Sequence, residues 1–481
     1  MGLKTLFTNI QSLSKEKSLR CDVDFVEFQN HFTLSKYYSF KDLFEIVKDN
    51  KVNLENLDDD FYYVEIGNVT KNGSIEPVKL NFNNREIEDE NYYKKIEKGD
   101  IIQVQVGDIL ISKVRPNLKK FVFIDEDNKN YYYTSAFIHL RPKKLNKILY
   151  YSLRSIFYNN LIAISRQGKG YPTIKEDDML CLKFDKNIID SILKKQNHIL
   201  NYIFEIESKI KELKNNIKTP QDIINNIFIE KFNLNYNHFL ELKKSKYYNL
   251  NFYCFANNKD LRQSVKFHKD AGKFVIKQLK AITNKKIKDF IAEPIILGSS
   301  ISPRDYNNEE DYYYISMASI KNWEYSIENS KQVLEDYYMK NNSKTVFKND
   351  ILFARSGEGT IGKVALIADS DLKAIFCDFI MRIRLKNYNP LFAYYYFRTD
   401  YFQYLVHTHK KGLGNNTNIF PSQIQEFPMI DIPIKEQEKI ANLINKELKI
   451  QEQIKNQIEG NYIKIENLLT NIIIVRDIKW D

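Results

Sequence analysis

The sequence predicts an α+β chain built as a tandem duplication, in which a mixed α/β globular unit followed by a long helix occurs twice. Three observations carry this. The first is a heptad stripe: Ile199, Ile203, Ile206, Ile210, Leu213 and Ile217 follow a 4-3-4-3-4 spacing, with Ile192 one heptad earlier. That is the seam of a coiled coil rather than the wider apolar face of a globular helix. At about 1.5 Å per residue, Ile192 to Ile217 would make a rod of roughly 38 Å, too apolar along one side to stay in water. The second is a matching stripe near the C-terminus, where Ile440, Ile444, Ile454, Ile458, Ile465, Leu468, Ile472 and Val475 keep the same register within Ile434 to Val475. The partner helix is therefore expected in the same chain. Glu447 and Gln451 interrupt this second seam, and Gly460 weakens it by about 1 kcal/mol relative to Ala.

The third observation is a period near 243 in 481 residues. Lys194-Lys-Gln196 aligns with Lys435-Glu-Gln437, so that Ile199 meets Ile440 (440 − 199 = 241). Gly107-Asp-Ile-Leu110 meets Asn349-Asp-Ile-Leu352 (350 − 108 = 242), Phe137 meets Phe379 (242), and Arg154 meets Arg398 (244). The Gly-x-Gly of Gly168 and Gly170 meets that of Gly412 and Gly414, and Asn226 meets Asn471. Concordant offsets across a whole chain are the mark of a repeat. The expected boundaries are 1–185 and 236–430 for the globular units, and 186–235 and 431–481 for the helical segments.

In chain order, residues 1–60 are the least readable, with a helix expected over Phe40 to Lys48. Strands are expected at Phe61 to Val69, Ile101 to Val106, Ile109 to Val114, Phe121 to Ile124 and Tyr131 to Leu140, punctuated by Asn-Gly and Gly-Asp turns. A helix over Leu145 to Ile164 and a polar loop, Arg166 to Pro172, follow. The second unit repeats this order. Its strands are Tyr312 to Ile320, Ile351 to Arg355, Lys363 to Ala368 and Ala374 to Leu385, its helix is Pro390 to Val406, and its loop is Lys410 to Asn418. Thr219-Pro220 should break the first rod, because proline cannot continue a helix interior.

Composition bounds the function. The chain is 43% hydrophobic and 28% charged, and no run approaches the 18 apolar residues of a membrane span. Met1 to Ile10 carries no secretion signature. Cys21, Cys181, Cys254 and Cys377 form no Cys-x-x-Cys, which argues against zinc and for a reducing cytosol; a cytoplasmic location and no membrane partner are expected. The formal charge of +10 fits a polyanion. Lysine is plentiful, but arginine is scarce. Arg115, Arg141, Arg154, Arg166, Arg304, Arg355, Arg382, Arg384 and Arg398, nine of thirteen, fall inside the two globular cores, and neither seam carries one. The planar guanidinium fork suits phosphate and guanine.

Catalytic motifs are missing. Gly357-Glu-Gly-Thr-Ile-Gly362 is a Gly-x-Gly-x-x-Gly, but a nucleotide site needs a helix to follow, and Lys363-Val-Ala-Leu-Ile367 reads as a strand; a hairpin turn is expected. There is no Pro-Pro anywhere, so the Pro-Pro-Tyr motif of an adenine methyltransferase is absent. The Glu207-Ser-Lys209 and Glu241-Leu-Lys243 triplets sit on predicted helices, and His407 and His409 lack metal-ligating companions. No catalytic residue and no metal site is assigned. What differs between the copies is the loop after each Asp-Ile-Leu: Lys113-Val-Arg-Pro-Asn-Leu-Lys-Lys120 in one, Arg355-Ser-Gly-Glu-Gly-Thr360 in the other. Candidate DNA contacts are Lys113, Arg115, Asn117, Lys119 and Lys120, joined by Arg166, Gln167, Lys169 and Tyr171 of the following loop. In the second unit they are Arg355, Ser356, Glu358, Thr360 and Lys363, with Lys410, Lys411, Asn415 and Asn416.

These residues resemble a known family. Ser112-Lys-Val-Arg-Pro-Asn-Leu-Lys119, Arg355-Ser-Gly-Glu-Gly-Thr-Ile-Gly-Lys-Val-Ala-Leu366 and Ile432-Pro-Ile-Lys-Glu-Gln-Glu-Lys-Ile440 are similar to segments of the specificity subunits of type I restriction-modification systems, over essentially the whole chain. The first helix departs by opening on Asp185-Lys-Asn-Ile-Ile-Asp190 instead of a proline-bounded start. The resemblance implies two target-recognition domains reading the halves of a split site in double-stranded DNA, and two helices paired as an antiparallel coiled coil. It implies that the helices dock methyltransferase subunits, two of them, and that a restriction and translocation subunit joins. S-adenosylmethionine, ATP and Mg belong to those partners, with no cofactor in this chain. The readings weighed against it are the recognition subunit of a related type II system, a fused methyltransferase or nuclease, and a coiled-coil scaffold that binds only protein.

Overall fold

The computed structural model describes residues 20, 22–34, 36–48, 52, 57, 59–82, 90–167, 170–245, 250, 251, 253, 254, 262, 264–307, 309–357, 359–412 and 417–474. The chain divides into two compact units, 1–216 with 454–481, and 217–453. Both are mixed α/β.

In the first unit an antiparallel sheet has the order Phe44–Ile46, Phe137–Pro142, Ile109–Ser112, Phe121–Phe123. A second sheet has the order Val78–Asn81, Asp60–Val64, Tyr132–Tyr133, its last pairing parallel. The central strand Ile109–Ser112 is buried on both faces, and its side chains alternate as a strand requires. Ile109 and Ile111 join the core formed with the helices Asn146–Arg154, Lys186–Lys194 and Gln196–Asn215, whereas Leu110 joins Val64, Val122 and Tyr133.

In the second unit an antiparallel sheet has the order Ile296–Leu297, Ile380–Ile383, Ile351–Ala354, Val364–Leu366. A three-stranded sheet has the order Lys331–Gln332, Tyr313–Ile315, Ala374–Phe376, again parallel in its last pairing. Ile351 and Phe353 face the helical core with Phe392 and Phe402, while Leu352 faces Ile315, Ala365 and Phe376. Strand order, pairing direction and facing therefore agree between the units.

The residue pairs Gly107-Asp108 and Asn349-Asp350 explain one sequence match. Gly107 has φ 94° and Asn349 φ 73°, the left-handed region that glycine enters freely and asparagine tolerates. Each turns the chain so that the next aspartate, 1% exposed in both cases, points inward. Asp108 receives Nε and Nη2 of Arg141 at 2.9 and 3.0 Å and His139 Nε2 at 2.7 Å. Asp350 receives Nε and Nη2 of Arg384, both at 2.7 Å. Burial is the largest influence on the Asp108 carboxyl and pushes it up. The hydrogen bonds from His139, Arg141 and the Gln105 amide together outweigh it and hold the group below its ordinary value.

Several expectations are corrected. Phe40 to Lys48 is one helical turn, Phe40–Leu43, followed by the strand Phe44–Ile46, and the helix Val23–Leu34 was not foreseen. Ile101 to Val106 is not a strand; it makes one bridge, Ile102 to Tyr133. Tyr131 to Leu140 and Ala374 to Leu385 each split into two strands in different sheets. Leu145 to Ile164 and Pro390 to Val406 each break into two helices, the second pair at Thr399, whose side chain caps Asp400–His409.

The rod from Ile192 to Ile217 is also interrupted. It breaks at Lys195 between Lys186–Lys194 and Gln196–Asn215, and Ile217 lies beyond the helix end at 36% exposure. Asp185 caps the first piece by accepting from the amides of Asn187 and Ile188, so a carboxylate does the work of the absent proline. Thr219 caps Pro220–Phe232, where the break was expected. The last helix runs Ile434–Ile474; Val475 and the Ile472 side chain lie outside the described residues. Ile192, Ile199, Ile203, Ile206 and Ile210 are buried, and Leu213 is half-buried. All six belong to the first unit's core together with Ile454, Ile458, Ile465 and Leu468. Ile440 and Ile444 are buried in the second unit's core. Gln451, 6% exposed, accepts the Lys218 amide at 2.8 Å, so this polar interruption of the stripe has a backbone partner.

Candidate nucleic-acid interface

In the first unit, the strand Ile109–Ser112 runs into a loop whose backbone is unusual. Arg115 and Lys119 both have φ 52°, on either side of the single turn Pro116–Leu118. Non-glycine residues in that region are held there by their surroundings. The Arg115 amide donates to Pro172 O at 2.8 Å and Val114 bridges Thr173, which pins the loop to the short hairpin Arg166–Gln167 and Pro172–Thr173. The loop and the hairpin, 50 residues apart in sequence (166 − 116 = 50), thus form one surface. Upon it the Arg115 guanidinium lies 5.0 Å from the centre of the Tyr171 ring, and both side chains are exposed. Asn117 and Leu118 are exposed beside them.

The other cations of this surface are engaged. Lys113 Nζ donates to Ser135 O at 2.9 Å and meets Glu176 at 3.2 Å. Lys119 Nζ reaches Glu466 at 3.2 Å, over the Tyr158 ring at 4.6 Å. Lys120 Nζ donates to Ile66 O at 2.9 Å. Arg166 forks onto the buried Asp178, its Nη2 at 2.7 Å, and that bond raises its pKa further. Lys169 and the Gln167 side chain lie outside the described residues.

The second unit uses the same junction. Ser356 bridges Asn418 and the Ile419 amide donates to Arg355 O at 2.9 Å. These are the counterparts of Val114 with Thr173 (356 − 114 = 242; 418 − 173 = 245). Arg355 Nε donates to Asp378 O at 2.8 Å, and its guanidinium lies 6.0 Å from the centre of the Phe420 ring. Gly357, at φ 86°, turns the chain, and Thr360 Oγ1 closes the turn on Ser356 O at 2.7 Å. The strand Val364–Leu366 follows directly, so the glycine-rich segment is a hairpin turn as expected. Lys363 is half-buried within it, and its carbonyl accepts the Ala354 amide. Lys411 pairs with Asn418 through both backbone groups, while the largely buried Lys410 gives its carbonyl to Arg262. Glu358, Asn415 and Asn416 lie outside the described residues.

Most other arginines of the globular cores have structural work. Arg141 and Arg384 hold the buried aspartates, and Arg382 meets Glu293 at 2.6 Å. Arg154 is 1% exposed and Arg398 5%, each lying over a tyrosine four residues before it, Tyr150 and Tyr394. Phe420, Phe379, Tyr158 and Asn418, none of them a contact candidate from the sequence, border the surfaces. Nothing in their local sequence marks them, because only folding brings them to the loops. No group of three or more His, Cys, Asp or Glu side chains that could hold a metal occurs among the described residues.

No curated protein matches the sequence. Among solved structures, the chain is similar to one from a study of complex assembly and conformational transition of the type I R-M system, at 14% identity, covering 91% of this chain and 96% of that one, with a TM-score of 0.42. It is also similar to the type I restriction-modification S subunit from M. genitalium (13%; 93% and 98%; TM-score 0.39) and the HsdS subunit from Thermoanaerobacter tengcongensis (13%; 91% and 95%; TM-score 0.30). Residues 282–460 match the family model for the type I restriction modification DNA specificity domain.

Proposed function

We propose that the chain is the specificity subunit of a type I restriction-modification complex, in which each globular unit reads one half of a bipartite site in double-stranded DNA. The observation that carries this reading is the repeated junction. Val114 with Thr173 and Ser356 with Asn418 tie a variable loop to a second loop at the same place in both units, although the family match covers only 282–460. A shared frame with different loop residues is what two different half-sites require. Arg115 beside Tyr171 offers a guanine-reading fork, whereas Arg355 is bonded to Asp378 O, and the exposed Phe379 and Phe420 offer apolar contact of the kind that reads a thymine methyl.

On this reading the tandem duplication has domains at 1–185 and 236–430, and the helical segments 186–235 and 431–481 pair as an antiparallel coiled coil. Burial of Ile199, Ile203, Ile206 and Ile210 in one core with Ile458 and Ile465 supports the pairing. The helices dock two methyltransferase subunits, a restriction and translocation subunit joins, and S-adenosylmethionine, ATP and Mg are held by those partners in the cytoplasm. No described helix is long and apolar enough to cross a membrane. The test is a map of methylated adenines in the host genome with and without this gene. A split motif that loses methylation on deletion supports the assignment, and an unchanged map defeats it.

A further inference from the structure

The reading loop of the first unit is strained at both ends, and three side chains from outside it hold it in place. Arg154, buried in the helix Asn146–Arg154, donates Nη1 to Lys119 O at 2.8 Å and Nη2 to Lys71 O. Tyr158 donates its hydroxyl to Asn117 O at 3.0 Å. Glu466, on the last helix, lies 3.6 Å from Arg154 Nη2 and 3.2 Å from Lys119 Nζ. Two turns earlier on that helix, Glu459 meets Lys71 at 3.0 Å and bonds Asn72. A guanidinium at 1% exposure needs a nearby negative charge, and within this cluster Glu466 supplies it. The carboxylate therefore acts on the loop twice, through Lys119 directly and through the arginine that holds the carbonyls of Lys71 and Lys119.

Among the described residues, the second unit lacks this arrangement. The offset that aligns Asn471 with Asn226 (471 − 226 = 245) places Gln221 where Glu466 stands (466 − 221 = 245). Gln221 donates Nε2 to Arg398 O at 2.7 Å and to Asp400 at 2.9 Å, and Arg398 donates to Tyr394 instead of to loop carbonyls. Among the described residues, a charged clamp on this loop is thus found in the first unit and not in the second.

We propose that Glu466 is a specificity-determining positioning residue which, through Arg154 and Lys119, holds the Arg115–Lys119 loop in its reading conformation. This rests on the DNA-recognition reading above. Releasing the clamp lets Arg115 and Lys119 relax from φ 52°, a strained conformation for a non-glycine residue when nothing imposes it. The guanidinium of Arg115 then loses its fixed aim at a base edge, while the second unit is untouched.

The experiment is a binding selection from randomised double-stranded DNA, with thermal melting alongside, on full-length wild type, Glu466→Gln, Tyr158→Phe and, as a charge-matched control, Glu452→Gln, whose side chain is exposed on the same helix. Tyr158→Phe removes one loop bond without burying a charge, so it tests the clamp even if Glu466→Gln folds poorly. The expected result is that Glu466→Gln and Tyr158→Phe each lower base preference about tenfold in one half of the selected site, leaving the other half and the control unchanged. Unaltered preference in both halves, or equal loss in both, overturns the proposal while leaving DNA recognition standing. A wild type that enriches no sequence overturns the recognition reading and this inference with it.

Discussion

The exposed Arg115 guanidinium lies against the face of Tyr171. Stacking restrains its planar fork without consuming its donors. Arg115→Ala should therefore relax preference in one half-site by about 1–3 kcal/mol, measured by randomised-site selection. If Arg115 touches phosphate instead, binding weakens equally on all sequences and the salt slope falls by about one unit. Asp108 makes a different prediction. Its carboxyl sits below the ordinary value of 3.8, so the stability it contributes is present above that value and is lost as pH falls through the lower folded-state value. Asp108→Asn should cost about 2–4 kcal/mol near neutral pH, by leaving Arg141 and His139 without their anion. It should also flatten the acid limb of the melting curve. A variant whose melting temperature tracks that of wild type between pH 3 and 7 would defeat this account.

At the scale of elements, the apolar stripe on Gln196–Asn215 serves a core rather than an isolated helix pair. Ile203 and Ile210 are 0% and 4% exposed and share their cluster with sheet residues Ile109 and Ile111 as well as with Ile458 and Ile465. Replacing both with Asp buries two charges without partners, at several kcal/mol each. The double variant should lose the cooperative melting of the first unit, read by far-ultraviolet circular dichroism. Parent-like melting would mean that this stripe does not face the interior. Thr219 marks the break between helices by accepting the Asp222 amide, and Thr219→Ala should cost about 1 kcal/mol.

For the whole molecule, the proposed role in recognition without catalysis gives a direct expectation. The purified chain alone should transfer no labelled methyl group to DNA, with methylation appearing only when methyltransferase subunits are added; transfer by the chain alone would refute this. The matching buried pairs, Asp108 with Arg141 and Asp350 with Arg384, carry a further test. Asp350→Asn should disturb half-site preference on the side that Asp108→Asn leaves intact. Changes confined to the same half in both variants would contradict separate reading units.

Periodicity alone determined the helical stripes, because a 3.6-residue helix repeats its burial every turn. The offset near 243 alone located corresponding strands, since Asp-Ile-Leu occurs twice with a residue before it that tolerates positive φ. Tertiary structure decided the rest. Two expected long strands became four because a pleated run can leave one sheet and enter another at a turn, as between Tyr133 and Phe137. It also decided which arginines are available to a ligand. Asp108, Glu293, Asp350 and the carbonyls of Lys71 and Lys119 lie far from their arginines in sequence, and an ion pair is set by distance in space. Composition could count guanidinium groups; only the fold could say that Arg154 is buried beneath the Arg115–Lys119 loop and Arg115 is exposed upon it.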